Sequence, residues 1–141
     1  MLTLGIEISP IGTRDAGELE RAVAAFATSS PNGGIVVTGS AWAVIHRDLI
    51  IGLAERHKLP AVFFQRLFAA AGGLIAYGAD FAEQYRQAAG YIDRILRGEK
   101  AADLPVQAAT KFELVINIKT AKALNIEVPA TPLATADEVI E

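Results

Sequence analysis

The sequence predicts an α/β protein, a three-layer α/β/α arrangement built on a mostly parallel sheet. Two observations carry that prediction. Short apolar, β-branched runs such as residues 34–38 (GIVVT) and 61–64 (AVFF) alternate with longer stretches whose apolar residues recur at helical spacing. The connections are short and rich in turn residues, which suits strands joined by right-handed crossover helices. Composition agrees with a packed core. Apolar residues make up 52% and charged residues 21%, and the net charge of −3 leaves no basic footprint for nucleic acid. The 141 residues suit one domain, with no internal repeat and no low-complexity segment.

Each element has its own signal. Residues 2–8 (LTLGIEI) alternate well enough for a first strand that ends at Ser9-Pro10. Asp15 caps a helix over 16–27, with Glu18 at the capping-box position and Leu19, Val23, Phe26 and Ala27 on one face. After the turn cluster at 29–33, residues 34–38 form a strand of the kind buried on both faces. Ser40 caps a helix reaching about Arg56, which Lys58-Leu59-Pro60 stops, and 61–64 is the next strand. Residues 74–77 (LIAY) follow Gly72-Gly73 as a buried strand, and Gly78 breaks it.

Asp80, with Glu83 three residues later, caps a long amphipathic helix over 81–97. Its apolar stripe runs through Phe81, Tyr85, Ala88, Ile92, Ile95 and Leu96, and Gly98 ends it with Arg94 and Arg97 in the last turn. A connector bounded by Pro105 leads to a strand at 112–119. There Phe112, Leu114, Ile116 and Ile118 alternate with Glu113, Val115, Asn117 and Lys119, giving one strongly apolar face before a further helix.

The chemistry these residues support is recognition, without catalysis. In open α/β sheets ligands sit at the C-terminal ends of the strands. The loops there are expected to hold Ser9, Thr38 and Ser40, Trp42, Phe64 with Arg66 and Phe68, and Tyr77 with Asp80. Hydroxyls, aromatic faces and a carboxylate are what a small aromatic or amino-acid ligand requires. Each also has a structural role open to it: Ser40 and Asp80 are good N-caps, and Trp42 and Phe64 suit a core. No HExxH, GxSxG or Walker A pattern occurs, so no enzyme activity and no cofactor are expected. His46 and His57 lie three turns apart on one predicted helix and cannot share a metal, and the chain has no cysteine.

The words Tyr77-Gly78-Ala79-Asp80, 89–98 (AGYIDRILRG), 102–106 (ADLPV), 111–124 and the closing ADEVIE carry a family resemblance. The chain resembles the later part of the substrate-binding proteins of one ABC-transporter family, whose better-known members are linked to uptake of aromatic amino acids. The resemblance implies one flavodoxin-like lobe of a type I periplasmic binding protein, with the ligand held between two lobes. It implies an aromatic amino acid or aromatic acid as ligand, a transporter permease as partner, and helix 81–97 as the segment crossing the hinge. A periplasmic location follows if the chain is a piece of such a protein. A cytoplasmic one is expected if it is complete, because residues 1–15 lack a secretory signal and no run reaches membrane-spanning length.

One lobe alone leaves the stripe of helix 81–97 uncovered. A second copy is expected to cover it in a symmetric or helix-swapped homodimer; alternatively the helix folds back on its own sheet. A stand-alone dimeric interaction module is thus the alternative to a solute receptor. A small flavodoxin-like enzyme or sensor is a third reading, disfavoured by the absence of a phosphate loop or catalytic dyad.

Overall fold

The structure is a computed structural model that describes residues 5–141. Thirteen elements follow in order: α1 (Ala16–Ser29), β1 (Ile35–Val37), α2 (Ala41–Ile45), α3 (Arg47–Arg56), β2 (Ala61–Phe63), α4 (Arg66–Ala70), β3 (Ile75–Ala79), α5 (Phe81–Leu96), a short 3-10 turn (Ala101–Asp103), β4 (Phe112–Asn117), α6 (Ile118–Ala123), α7 (Ala130–Thr135) and β5 (Glu138–Ile140). The five strands form one sheet in the order β1-β2-β3-β4-β5. All neighbours are parallel except β3 and β4, which run antiparallel. That reversal follows from the chain's route, because α5 and its connector carry it away from the sheet and return it beside the strand it left.

The main core lies on one sheet face. Leu19 and Val23 of α1, Ile50 and Leu53 of α3, and Phe68 of α4 pack with Phe63, Ala76 and Val115 of the strands. Phe63 and Phe68 stack with centroids 4.9 Å apart. Asn117 is the buried polar member. Its Nδ2 donates to the Ala69 carbonyl and its Oδ1 accepts from Thr120 N–H, so it ties α4 to β4 and caps α6 at once.

Several sequence expectations are corrected. Residues 5–8 form no strand and Ile6 and Ile8 are exposed, while residues 2–4 of that predicted strand lie outside the described residues. A strand needs a neighbour for its backbone groups, and the alternating pattern alone supplies none. The helix expected from Ser40 to Arg56 is two helices, broken at His46. There the His46 ring stacks on Trp42 at 4.0 Å and its Nδ1 lies 3.0 Å from the Trp42 carbonyl oxygen. The strand expected at 112–119 stops at Asn117, whose side chain starts α6, so Ile118 belongs to a helix. Both faces of its later half are buried, Val115 and Ile116 alike, whereas Phe112 at its start is half exposed. The caps hold, since Asp15, Ser40 and Asp80 each accept a backbone N–H three residues on.

Candidate functional site

Phe64 is the residue on which the predicted loops converge. It follows β2 directly, and its ring lies against Gly39 of the loop after β1, 3.2 Å from where a Cβ there would stand. On the other side its carbonyl oxygen sits 1.9 Å from where a Cβ of Gly78 would be. Only hydrogen at position 78 allows this approach, so Gly78, expected to break the strand, instead lies within β3, which runs to Ala79, and lets β2 and β3 close up. The ring of Phe64 is also tilted against Phe68, 5.2 Å away, which anchors it to the core.

Around Phe64 the remaining candidates divide. Thr38 and Ser40 are exposed on the loop after β1, and the Ser40 hydroxyl accepts from Ala43 N–H as the α2 cap. Tyr77 stands exposed on β3 and stacks on Phe112 of β4 at 6.0 Å, an aromatic pair the sequence did not flag. Trp42 is drawn toward the core and stacked on His46. Asp80 is occupied at the start of α5: one oxygen caps α5 at Glu83 N–H and the other pairs with Lys111 Nζ at 2.8 Å. The backbone reinforces this, because Asp80 N–H donates to the Lys111 carbonyl. The chain therefore leaves the sheet and returns to it through one clasp. The Lys111 ammonium, assisted by the Glu83 N–H, holds the Asp80 carboxyl below its ordinary value, and Asp80 raises Lys111 in turn.

Beside the clasp, Arg66, a charge already expected in the loop after β2, finds a partner that no spacing in the sequence announces. Arg66 of α4 pairs with Glu138 of β5, seventy-two positions away. Glu113 sits partly buried on β4, where burial first and the nearby Asp80 second push its carboxyl up. Among the described residues no group of three His, Cys, Asp or Glu could hold a metal, and no helix is long and apolar enough to cross a membrane.

Helix α5 projects from the clasp with none of its residues buried. Its connector runs back along one flank, where Gln87 donates to Thr110 and the Tyr91 hydroxyl donates to the Pro105 carbonyl. Between them is an open concavity of about 350 Å³ lined by Gln84, Tyr91 and Gln107. The apolar stripe of α5 lies free of the connector, with Tyr85, Ile92 and Leu96 exposed.

A mostly parallel five-stranded sheet with helices packed on it, and a long helix leaving from the end of β3, make this an α/β fold. The family described as ABC transporter substrate binding protein matches residues 3–140, and the chain belongs to that family. Solved structures agree. A conserved domain protein from Vibrio cholerae is 26% identical, with a TM-score of 0.76, over 88% of this chain and 41% of its own. An ABC domain from Streptococcus pneumonia, in complex with L-Trp, is 23% identical with a TM-score of 0.84, over 96% of this chain and 46% of its own. A ligand-free, open substrate-binding protein with adhesive properties from Clostridium difficile is 18% identical, with a TM-score of 0.64, over 92% and 42%. The chain thus spans less than half the length of these solved relatives. A comparison with curated proteins found no match.

Proposed function

We propose that this chain is the ligand-closing second lobe of an ABC-importer receptor for a small aromatic solute. The observation that carries the reading is the family match over residues 3–140, joined to the convergence of three strand-end loops on Phe64. In this reading Thr38, Ser40, Phe64 and Tyr77 line one wall of the cleft, and Trp42 and Asp80 stiffen it from behind. A first lobe supplies the opposite wall and covers the apolar stripe of α5, with the Asp80–Lys111 clasp as part of the hinge. The aromatic ligand class rests on the exposed Tyr77–Phe112 pair and on the relative that holds L-Trp. The receptor works in the periplasm, delivers its solute to a permease, and performs no chemistry on it.

The second reading is a homodimeric interaction module without a transported ligand, favoured by the bare stripe of α5. Titration with L-tryptophan, L-tyrosine, L-phenylalanine and aromatic acids, followed by thermal unfolding, tests the choice. A ligand present at a hundred times its dissociation constant raises stability by about 2.7 kcal/mol. At millimolar concentration at least one of these compounds is expected to raise the midpoint, and Tyr77→Ala to abolish the rise. Indifference to all of them would overturn the aromatic-receptor reading in favour of the module.

A further inference from the structure

Among the charges at the end of β3, one carboxylate is left without a partner. Glu113 stands in β4 directly opposite Gly78, on the sheet face of Ala76 and Val115. Burial falls along β4 toward its start, so Val115 is enclosed and Glu113 is half-buried. The charges facing Glu113 are Asp80 ahead of α5, Arg66 on α4, Lys111 in the connector and Asp137 before β5. Both cations are engaged elsewhere: Arg66 pairs with Glu138 and Lys111 with Asp80. Asp137 accepts the Leu114 N–H. Glu113 has neither hydrogen bond nor ion pair among the described residues. Burial and the Asp80 charge both disfavour its ionised form, so the fold carries this carboxylate at a cost. A second acceptor lies close by. The Phe64 carbonyl oxygen fills the space over Gly78, 1.9 Å from where a Cβ would stand. Opposed strand residues have Cβ atoms about 4.5–5.5 Å apart, which puts that oxygen within about 7 Å of the Glu113 Cβ.

We propose that Glu113 receives the ammonium group of the solute, with the Phe64 carbonyl as second acceptor, so that the receptor takes aromatic amino acids and refuses the matching acids that lack an amine. The inference rests on the receptor reading and narrows its ligand class. An ammonium brings three donors and a full positive charge, which suits a free carboxylate beside a carbonyl. Hydrogen bonds of that charge-assisted kind are roughly twice as strong as neutral ones. They also restore the ionised form that burial disfavours. A ligand with only a carboxylate would instead meet Glu113 and Asp80 with both nearby cations already committed. A metal ion would need further ligands, and among the described residues no three His, Cys, Asp or Glu gather to hold one. The Phe64 ring, tilted against Phe68, supplies an aromatic surface on the α4 side of the sheet. Tyr77 and Phe112 stand on the opposite sheet face, by the period of two, and take no part in holding the head group.

Calorimetric titration of the full chain tests the site. The ligands are L-tryptophan, L-phenylalanine and L-tyrosine, each beside the indole-, phenyl- or hydroxyphenylpropionate that carries hydrogen in place of the ammonium. The expected result is an amino acid that binds the wild type at least tenfold more tightly than its deaminated partner. Glu113→Gln is expected to close that gap by weakening the amino acid alone. Without ligand the same variant should melt above the wild type at pH 7, which shows that it is folded. Should it not fold, the wild-type comparison decides by itself. A deaminated acid bound as tightly as its amino acid, or a Glu113→Gln protein that keeps the full preference, overturns the head-group site and leaves the aromatic receptor standing. If no compound of either set binds the wild type, the receptor reading falls and the head-group site falls with it.

Discussion

Replacing Gly78 by alanine should loosen both the fold and the candidate site, and the structure sets the size of the effect. The new methyl would stand 1.9 Å from the Phe64 carbonyl oxygen and 2.9 Å from its carbonyl carbon. Ordinary contact begins near 3.4 Å, so the ends of β2 and β3 must separate by more than an ångström. The obstructing atoms are backbone, and Phe64 is held by Phe68 and Gly39, so no side-chain rotation relieves the clash. Overpacking of this kind costs about 1–3 kcal/mol, occasionally more. Against it stands the loss of glycine's unfolded-state freedom, worth about 0.4–1 kcal/mol. The clash wins, and a net loss of about 2 kcal/mol with a midpoint lowered by roughly 6–8 °C is expected. Gly52→Ala is the control. It lies inside α3 with nothing within 4 Å of the added methyl, and should stabilise by about 0.5–1 kcal/mol. Urea unfolding of the two variants decides the matter. A Gly78→Ala protein as stable as the wild type would refute the close approach of Phe64 to β3, and with it the convergence of the three loops.

Two further outcomes follow from single side chains. Asn117→Ala removes the α6 cap and one of the two donors to the Ala69 carbonyl, which keeps the Gly72 N–H. A loss of about 1–2 kcal/mol in urea unfolding is expected, and a loss under about 0.5 kcal/mol would count against its double role. Glu113 has its carboxyl raised above the ordinary value of 4.5, mainly by burial. A raised carboxyl favours the protonated fold, so its contribution is full below the unfolded value and is lost as pH rises through the folded one. Glu113→Gln should therefore unfold at a higher temperature than the wild type at pH 7, with the difference vanishing near pH 3. An equal gain at both pH values would mean that ionisation is not the cause.

Much of this protein was legible in the residues. Asp15, Ser40 and Asp80 declare three helix starts because a cap is local chemistry between a side chain and a backbone N–H three positions on. The runs at β1 and β2 and the alternation of strand with helix were equally local, and they implied a mostly parallel sheet. The words around Tyr77-Gly78-Ala79-Asp80 and the closing segment pointed to the family that the comparison established. Ser40, Phe64, Tyr77 and Asp80 could be nominated for the strand ends, since strand boundaries follow from composition.

What required tertiary structure was everything that depends on a neighbour far along the chain. Residues 5–8 alternate like a strand, yet no adjacent strand takes up their backbone. The alternation at 112–118 named one buried face, yet Val115 on the other face is buried as fully as Ile116, because helices pack against this strand where the chain's route places them. The Arg66–Glu138 pair, the Asp80–Lys111 clasp and the Tyr77–Phe112 stack join positions from thirty-one to seventy-two residues apart or across an antiparallel register. Sequence by itself determined the capped helix starts, the runs of β1 and β2 and the family, which are set by neighbours in the chain. The packed structure decided how β4 returns beside β3 and how the loops meet at Phe64, because both depend on where the chain returns after leaving.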